Sequence, residues 1–295
     1  MNGDDDMTLR DLEVFSAVCD TNSITAAAEQ LHISQPSASQ VIADIEKEYG
    51  VRLFERFSKK LYITETGRLL QDYARHILFS FHDMEDRLRG SGIMHTIHVG
   101  ASVTIGTCLL SIITQNFNRI QPDIRIEAVV DNTSIIENQI LKNDLDLGLV
   151  EGNVHHPKIV TTPFMDDELV LVCGKSHPFY GRKVIGKKEL ANLDFIIREE
   201  GSGTRELFVS VMNANGISWA ANWVCNNAEG IKNAVAAGIG VTVISRMLVG
   251  KETAAGELYI LKIDGIEFKR KFNIIYHCNK YLTDPIRQLI DSCIL

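Results

Sequence analysis

The chain has 295 residues, 45% of them hydrophobic and 23% charged, which is ordinary globular composition and length enough for two or three domains with their own cores. No apolar run is long enough to span a bilayer, and the start, MNGDDDMTLR, is acidic where a signal peptide is basic and then apolar, so a cytoplasmic protein with no membrane partner is expected. The formal net charge of −8 argues mildly against a nucleic-acid partner, as does the count over residues 7–90, ten Lys/Arg against thirteen Asp/Glu.

Residues 1–6 read as an acidic tip. An amphipathic helix over Thr8–Thr21 follows, apolar at Leu9, Leu12, Phe15, Val18 and Cys19. In the segment SITAAAEQLHISQPSASQ a small-residue helix (Ile24, Ala26, Ala27, Ala28, Leu31) meets the turn His32-Ile33-Ser34. Ser34 then caps a second helix with Pro36 in its first turn. Alanines let two helices cross closely, while Ala38, Val41, Ile42 and Ile45 bury against the first. Gln35, Pro36, Ser37, Ser39 and Gln40 are left at the outer N-terminal end, as a helix-turn-helix requires for reading base edges. VRLFERFSKKLYITETG reads as strand, turn, strand. From Lys47 to Arg68 six basic residues face three acidic ones, so phosphate contacts are expected locally, from Arg56, Lys59 and Lys60.

ITAAAEQLHISQPSASQ, YGVRLFER and ITETG, in order and ungapped from about Leu9 to Leu70, resemble the N-terminal domain of the LysR-type transcriptional regulators. The resemblance implies a winged helix-turn-helix over 7–64, double-stranded operator DNA as partner, and RNA polymerase as a candidate second one. Gln40 stands where the family usually has arginine. Glutamine prefers adenine where arginine reads guanine, so a changed base preference is expected.

Thr64 caps a long helix over Glu65–Arg89, inside a linker and hinge at 65–92. Its apolar residues Leu70, Ala74, Ile77, Phe81, Met84 and Leu88 follow steps of 4, 3, 4, 3, 4, a heptad seam that predicts pairing with a second copy. A helix lying on its own domain is the competing reading.

Beyond Gly90-Ser91-Gly92 strands and helices alternate, which predicts parallel sheets with helices on both faces. One helix is expected over Ile105–Ile120. DNTSIIENQILKNDLDLGLVEG and AEGIKNAVAAGIGVTVISRMLV resemble the effector domain of the same family, implying a two-lobed α/β module of periplasmic-binding-protein type. The whole is then an α+β multidomain chain. The effector domain covers 93–295, with lobe one at 93–163 and 267–295 and lobe two at 164–266. Crossings are expected near Thr161-Pro163 and Asp264-Gly265. The family also implies a homodimer or homotetramer.

FIIREEGSGTRELF ends a strand, makes a glycine loop and opens a helix, so amides of Ser202, Gly203 and Thr204 and the positive charge of Arg205 suit a small anion at a helix N-terminus. A tight turn with a helix cap is the bland alternative. Hydroxyl-rich loops at Gly100–Thr104 and Asn132–Ser134 strengthen the first reading, because strand C-terminal ends converge on a cleft. By the resemblance Ser102, Thr104 and Thr204 contact effector, with Thr133 in one of these loops and Asn227 on the far wall. REEGSGTR resembles REPGSGTR of the branch regulating cysteine/sulfur and carbon-fixation genes. Glu200 replaces that proline and adds a carboxylate near the loop.

No cofactor and no metal is expected. Cys19, Cys108, Cys173, Cys225, Cys278 and Cys293 lack CxxC spacing and read as reduced, buried thiols, and His155-His156 reads as a solvated pair. Gly201-Ser202-Gly203 is neither a nucleophile elbow nor a P-loop, so no enzyme is expected. The alternative kept open is a two-lobed enzyme or solute receptor without DNA-binding function.

Overall fold

The computed structural model describes residues 7–57, 60–88, 95–154 and 156–294. It divides into two compact units, Met1–Ile93 and Met94–Leu295.

The first unit holds α1 (Leu9–Thr21), α2 (Ile24–Gln30), α3 (Gln35–Tyr49), β1 (Phe54–Phe57), β2 (Lys60–Ile63) and α4 (Glu65–Leu88). Local chemistry sets each start. Thr8 and Asp11 form a reciprocal capping box on α1. Ser23 caps α2, and the Ser34 hydroxyl accepts from the Ser37 amide at 3.2 Å to cap α3. His32 has a φ of 54°, so the chain turns sharply between α2 and α3. Ala27, Ala28 and Ala38 are buried where these helices cross, and Ile33 packs on Val14, Ala28 and Ala38 beneath the turn. Phe15 is fully buried, its ring 5.6 Å from that of Phe54.

The wing is tied to α3 by Glu46, whose Oε1 accepts from the amides of Leu53 (2.7 Å) and Phe54 (3.2 Å). Thr64 Oγ1 accepts from the Gly67 amide at 2.9 Å, capping α4, and donates to Arg52 O at 2.6 Å. A side chain at position 67 would lie 2.3 Å from Leu53 O, so α4 starts where it does only with glycine there.

α4 departs from a clean heptad seam. Ala74 is buried in the core of its own unit and Leu70 packs against that core, because α4 crosses α1, where Arg75 pairs with Asp20 at 2.6 Å. The outward apolar row runs instead through Leu69, Tyr73, Ile77, Met84 and Leu88. Phe81 is half-buried.

The second unit begins with β3 (His95–Ser102), α5 (Val103–Cys108), α6 (Leu110–Ile120), β4 (Ile124–Asp131), α7 (Thr133–Leu141) and β5 (Leu147–Glu151). Then come the long β6 (Ile159–Gly174), β7 (Val184–Ile185), α8 (Lys187–Leu190), β8 (Asp194–Arg198), α9 (Gly203–Ala214) and β9 (Ala220–Cys225). It closes with α10 (Ala228–Ala236), β10 (Thr242–Ser245), α11 (Gly250–Ala254), β11 (Leu258–Ile263), β12 (Phe268–His277) and α12 (Asp284–Cys293). The single helix expected over 105–120 is two, broken at the buried Leu109.

The sheet is mixed, which corrects the expectation of parallel sheets. Its order is β4-β3-β5-β12-β6-β11-β7, with β10 also on β6. β3 runs parallel to β4 and β5, but β12 is antiparallel to both β5 and β6. The reason lies in the two strands joining the lobes. β6 and β12 run in opposite directions and pair from Ile159↔His277 to Leu169↔Phe268, with a bulge at Phe272/Asn273. β8 and β9 form a small parallel sheet.

Each lobe has its own core. Ile97, Phe117, Leu147 and Phe272 are among the buried side chains of the first, and Phe195, Phe208, Val243 and Phe268 of the second. Along β12 the change of lobe falls between Phe268 and Phe272, within the strand and not at the turn Asp264-Gly265. Along β6 it falls between Met165, packed on the first core, and Leu169, buried in the second.

Burial of the thiols is uneven. Cys19, Cys173 and Cys293 are buried, Cys108 and Cys225 half-buried, and Cys278 exposed. Burial pushes the Cys19 and Cys293 thiols up to about 12 and Cys173 to about 11, which leaves them inert. His155 lies outside the described residues.

Candidate functional site

In the first unit α3 stands clear of the core by its N-terminal end. Gln35, Pro36, Ser37 and Gln40 are exposed, and Ser39 is half-buried. Ser39 lines a groove of about 620 Å³ between α3 and the wing, with Glu46, Phe54, Glu55 and Phe57 also on its walls. Gln40 Nε2 donates to Asp44 Oδ1 at 2.7 Å, one turn along the helix, so Asp44 aims the amide rather than adding to a basic surface. Arg56 and Lys60 fall on β1 and β2, opposite Leu61 and Phe57. Lys59 lies outside the described residues.

The second unit brings several of the expected effector residues together around a group that the sequence reading passed over. Arg270, on β12, is buried between the lobes with only 3% of its side chain exposed. Its Nε donates to Asp167 Oδ2 at 2.7 Å, and Ser245 completes Asp167 by donating to Oδ1 at 2.8 Å. Its Nη1 donates to Thr204 Oγ1 at 3.0 Å, and its Nη2 to Thr104 Oγ1 at 3.4 Å. One guanidinium therefore holds the first turn of α5, from lobe one, and the first turn of α9, from lobe two.

Glu151, at the end of β5, is the second group in the cluster. It is buried, accepts from Thr204 Oγ1 at 3.1 Å, and pairs with Arg270 Nη2 at 3.3 Å. Its carbonyl accepts from the buried Thr133 hydroxyl at 3.0 Å. Gly203 packs directly on this strand end; a Cβ there would lie 2.2 Å from Glu151 O, so only glycine lets α9 approach. The Ser134 amide donates to Gly201 O at 3.1 Å, a second contact from lobe one to the glycine loop.

Ser102 and Ser202 sit at the N-caps of α5 and α9. Both are buried, neither caps its helix, and neither Oγ has a hydrogen-bond partner.

Two expected residues stay outside this cluster. Arg205 turns back to donate to Arg198 O at 3.3 Å. Asn227 is exposed and caps α10, accepting from the Gly230 amide at 2.6 Å. Glu200, the departure noted in the loop, faces solvent. Glu151 was present in LGLVEG, but a lone carboxylate at a strand end carries no signal until the fold buries it. Arg270 sits in the alternation FKRKF, where nothing local separates it from the lysines on either side.

Among the described residues no helix is long and apolar enough to cross a membrane, and no group of three His, Cys, Asp or Glu side chains is placed to hold a metal.

Comparison with known proteins agrees with both units. Residues 9–68 match the family described as bacterial regulatory helix-turn-helix protein, lysR family, and residues 90–294 match the LysR substrate binding domain. The HTH-type transcriptional regulator CysL of Bacillus subtilis (strain 168) is 32% identical over 267 residues, 90% of this chain and 89% of that protein. The RuBisCO operon transcriptional regulator of Allochromatium vinosum is 31% identical, over 94% of this chain and 92% of that protein. The regulatory domain of Synechocystis PCC6803 CcmR, solved in complex with 2-PG, superposes with a TM-score of 0.64 at 26% identity, over 68% of this chain and 96% of that one. With a winged helix-turn-helix ahead of a two-lobed domain and both family models matched along almost its whole length, the chain belongs to the LysR family of DNA-binding transcriptional regulators.

Proposed function

We propose that the chain is an oligomeric regulator, working in the cytoplasm, whose hold on operator DNA is set by a small anion bound between the lobes of residues 95–294. The observation that carries the reading is the single Arg270 guanidinium bridging Thr104 and Thr204, beside two buried serine hydroxyls with no partner. A ligand completing that cluster favours one arrangement of the lobes, and it biases the equilibrium only by its difference in affinity for the two. CcmR, similar over the same region, was solved with 2-PG, a small anion of this kind. Fluorescence anisotropy on genomic operator fragments, with and without inorganic oxyanions, tests the reading. An enzyme or a transport receptor would show no salt-sensitive, sequence-selective DNA binding.

DNA contact is assigned to Gln35, Ser39 and Gln40 at base edges and to Arg56, Lys59 and Lys60 at phosphates. Gln40→Ala is expected to cost about 1–3 kcal/mol on the preferred operator and to relax selectivity at one base pair. Unchanged operator preference in an anisotropy competition would remove Gln40 from the reading face.

Self-association is assigned to apolar surfaces that are exposed among the described residues. α4 offers Tyr73, Ile77, Met84 and Leu88. In the second unit β4 and β9 are edge strands that expose Val129, Val130, Trp223 and Val224. Exposed edges of this kind invite a further strand or a second copy. Val224→Asp should leave the fold intact, because the side chain is exposed, and weaken self-association by about tenfold or more. Sedimentation velocity over a concentration series checks it; an unchanged distribution assigns the edge to another role.

A further inference from the structure

Resting on the reading of an interlobe anion, the same cluster constrains which anion fits. A serine at an extended N-cap ordinarily accepts a hydrogen bond from the first turn of its helix. Ser102 and Ser202 both have that backbone geometry and both decline it. Their residues are only 1% and 2% exposed, and their hydroxyls have no partner. Each stands two residues ahead of a threonine that accepts from the Arg270 fork. A buried polar group left unpaired is costly, so two of them, each two residues from a threonine held by the same guanidinium, point to a ligand that both serve.

The third orphan is Glu151 Oε2. It lies 3.3 Å from Arg270 Nη2 yet outside hydrogen-bond geometry, and it has no other partner. Both oxygens of Asp167 are occupied, by Ser245 and Arg270, so Glu151 is the open carboxylate. An ionised carboxylate only accepts. A ligand seated beside it must therefore bring a donor of its own. Charge says the same. Arg270 is the cation that pairs with both Glu151 and Asp167, and a ligand oxygen that brings no proton to Glu151 Oε2 would set a like charge against it.

We propose that this site takes a small oxyanion that still carries a proton, such as the hydrogen form of phosphate or of sulfite, and excludes a bare dianion such as sulfate. The O–H of the ligand donates to Glu151 Oε2, and its remaining oxygens accept from the hydroxyls of Ser102 and Ser202. The proton turns a repulsion into a charge-assisted hydrogen bond.

Titration calorimetry on the full chain with inorganic phosphate, sulfite and sulfate, near neutral pH, tests this. Sulfate is fully deprotonated there, while every phosphate ion keeps at least one proton and sulfite keeps one on a substantial fraction. At least one of those two should bind tighter than sulfate by about 100-fold or more, since a site built around a missing hydrogen bond rejects the analogue that cannot make it. Ser102→Ala and Ser202→Ala should each weaken that anion by about tenfold, with no change in the melting temperature of the ligand-free protein. Glu151→Gln should bring sulfate to within about tenfold of the favoured anion, because the amide no longer repels and can donate. If Glu151→Gln does not fold, the selectivity of the wild type and the two serine variants decide. Sulfate binding as tightly as phosphate and sulfite, still weakened by Ser202→Ala, overturns the protonated ligand and leaves the interlobe site standing. Binding of none of the three, or binding indifferent to both serine variants, overturns the site as well.

Discussion

Arg270→Met is expected to destabilise the second unit by about 3–5 kcal/mol, because it leaves two buried carboxylates without their counter-charge. Glu151 and Asp167 are 1% and 7% exposed, and Arg270 is the cation that pairs with both. It also frees Thr104 and Thr204, so the two lobes lose their shared donor. Urea unfolding, followed through the transition assigned to residues 95–294, measures the loss; the two units make a single transition unsafe to assume. The double variant Arg270→Met/Glu151→Gln should recover part of the stability, because it removes one of the stranded charges. A loss under about 1 kcal/mol in the single variant would mean that water enters and solvates the cluster.

Phe15→Ala is expected to cost about 3–5 kcal/mol in the first unit. The ring is wholly buried between α1 and the wing, packed on Phe54, in the same core as Ile42 and Ile45 of the recognition helix. Little of the cavity can collapse, because α1 is pinned at its start by the Thr8–Asp11 box and along its length by α4. Operator binding should weaken at all sequences alike, since the presenting scaffold melts and no base contact is touched. Glu29→Ala is the control: exposed on α2 and outside every assigned surface, it should leave the stability of this unit within about 0.5 kcal/mol of wild type. Thermal unfolding with anisotropy at two temperatures separates the two variants. Unaltered stability in Phe15→Ala would place the weight of this core elsewhere.

The helix-turn-helix was legible because its signals are local. Ser34, Pro36 and the alanines act within a few residues of one another, and the caps at Ser34 and Thr64 appear where hydroxyl spacing puts them. The helix over Asp284–Cys293 is equally local, with Ile286, Leu289 and Cys293 repeating at helical period and buried together. The seam on α4 was half legible. The periodicity was real, but its residues divide between two sides of the helix: Ala74 faces α1 while Ile77 and Met84 face outward. Spacing alone does not say which side of a stripe a neighbour covers.

The mixed sheet and the interlobe cluster depended on contacts far apart in the chain. The antiparallel pairing of β6 with β12 joins residues separated by about a hundred positions, and nothing in either segment names its partner. The site divides along the same line. Ser102, Thr104, Ser202, Gly203 and Thr204 could be found because loops at strand ends carry their own chemical signature of hydroxyls and glycine. Glu151 and Arg270 could not, because a carboxylate and a guanidinium read as surface charges until burial removes the water that would screen them. By itself, then, the sequence determined the winged helix-turn-helix, set by short-range capping, periodicity and turn chemistry, while the two lobes were legible only through the resemblance to the family. Tertiary structure alone decided how the sheet is wired and which charges meet between the lobes, since those depend on which distant segments exclude water together.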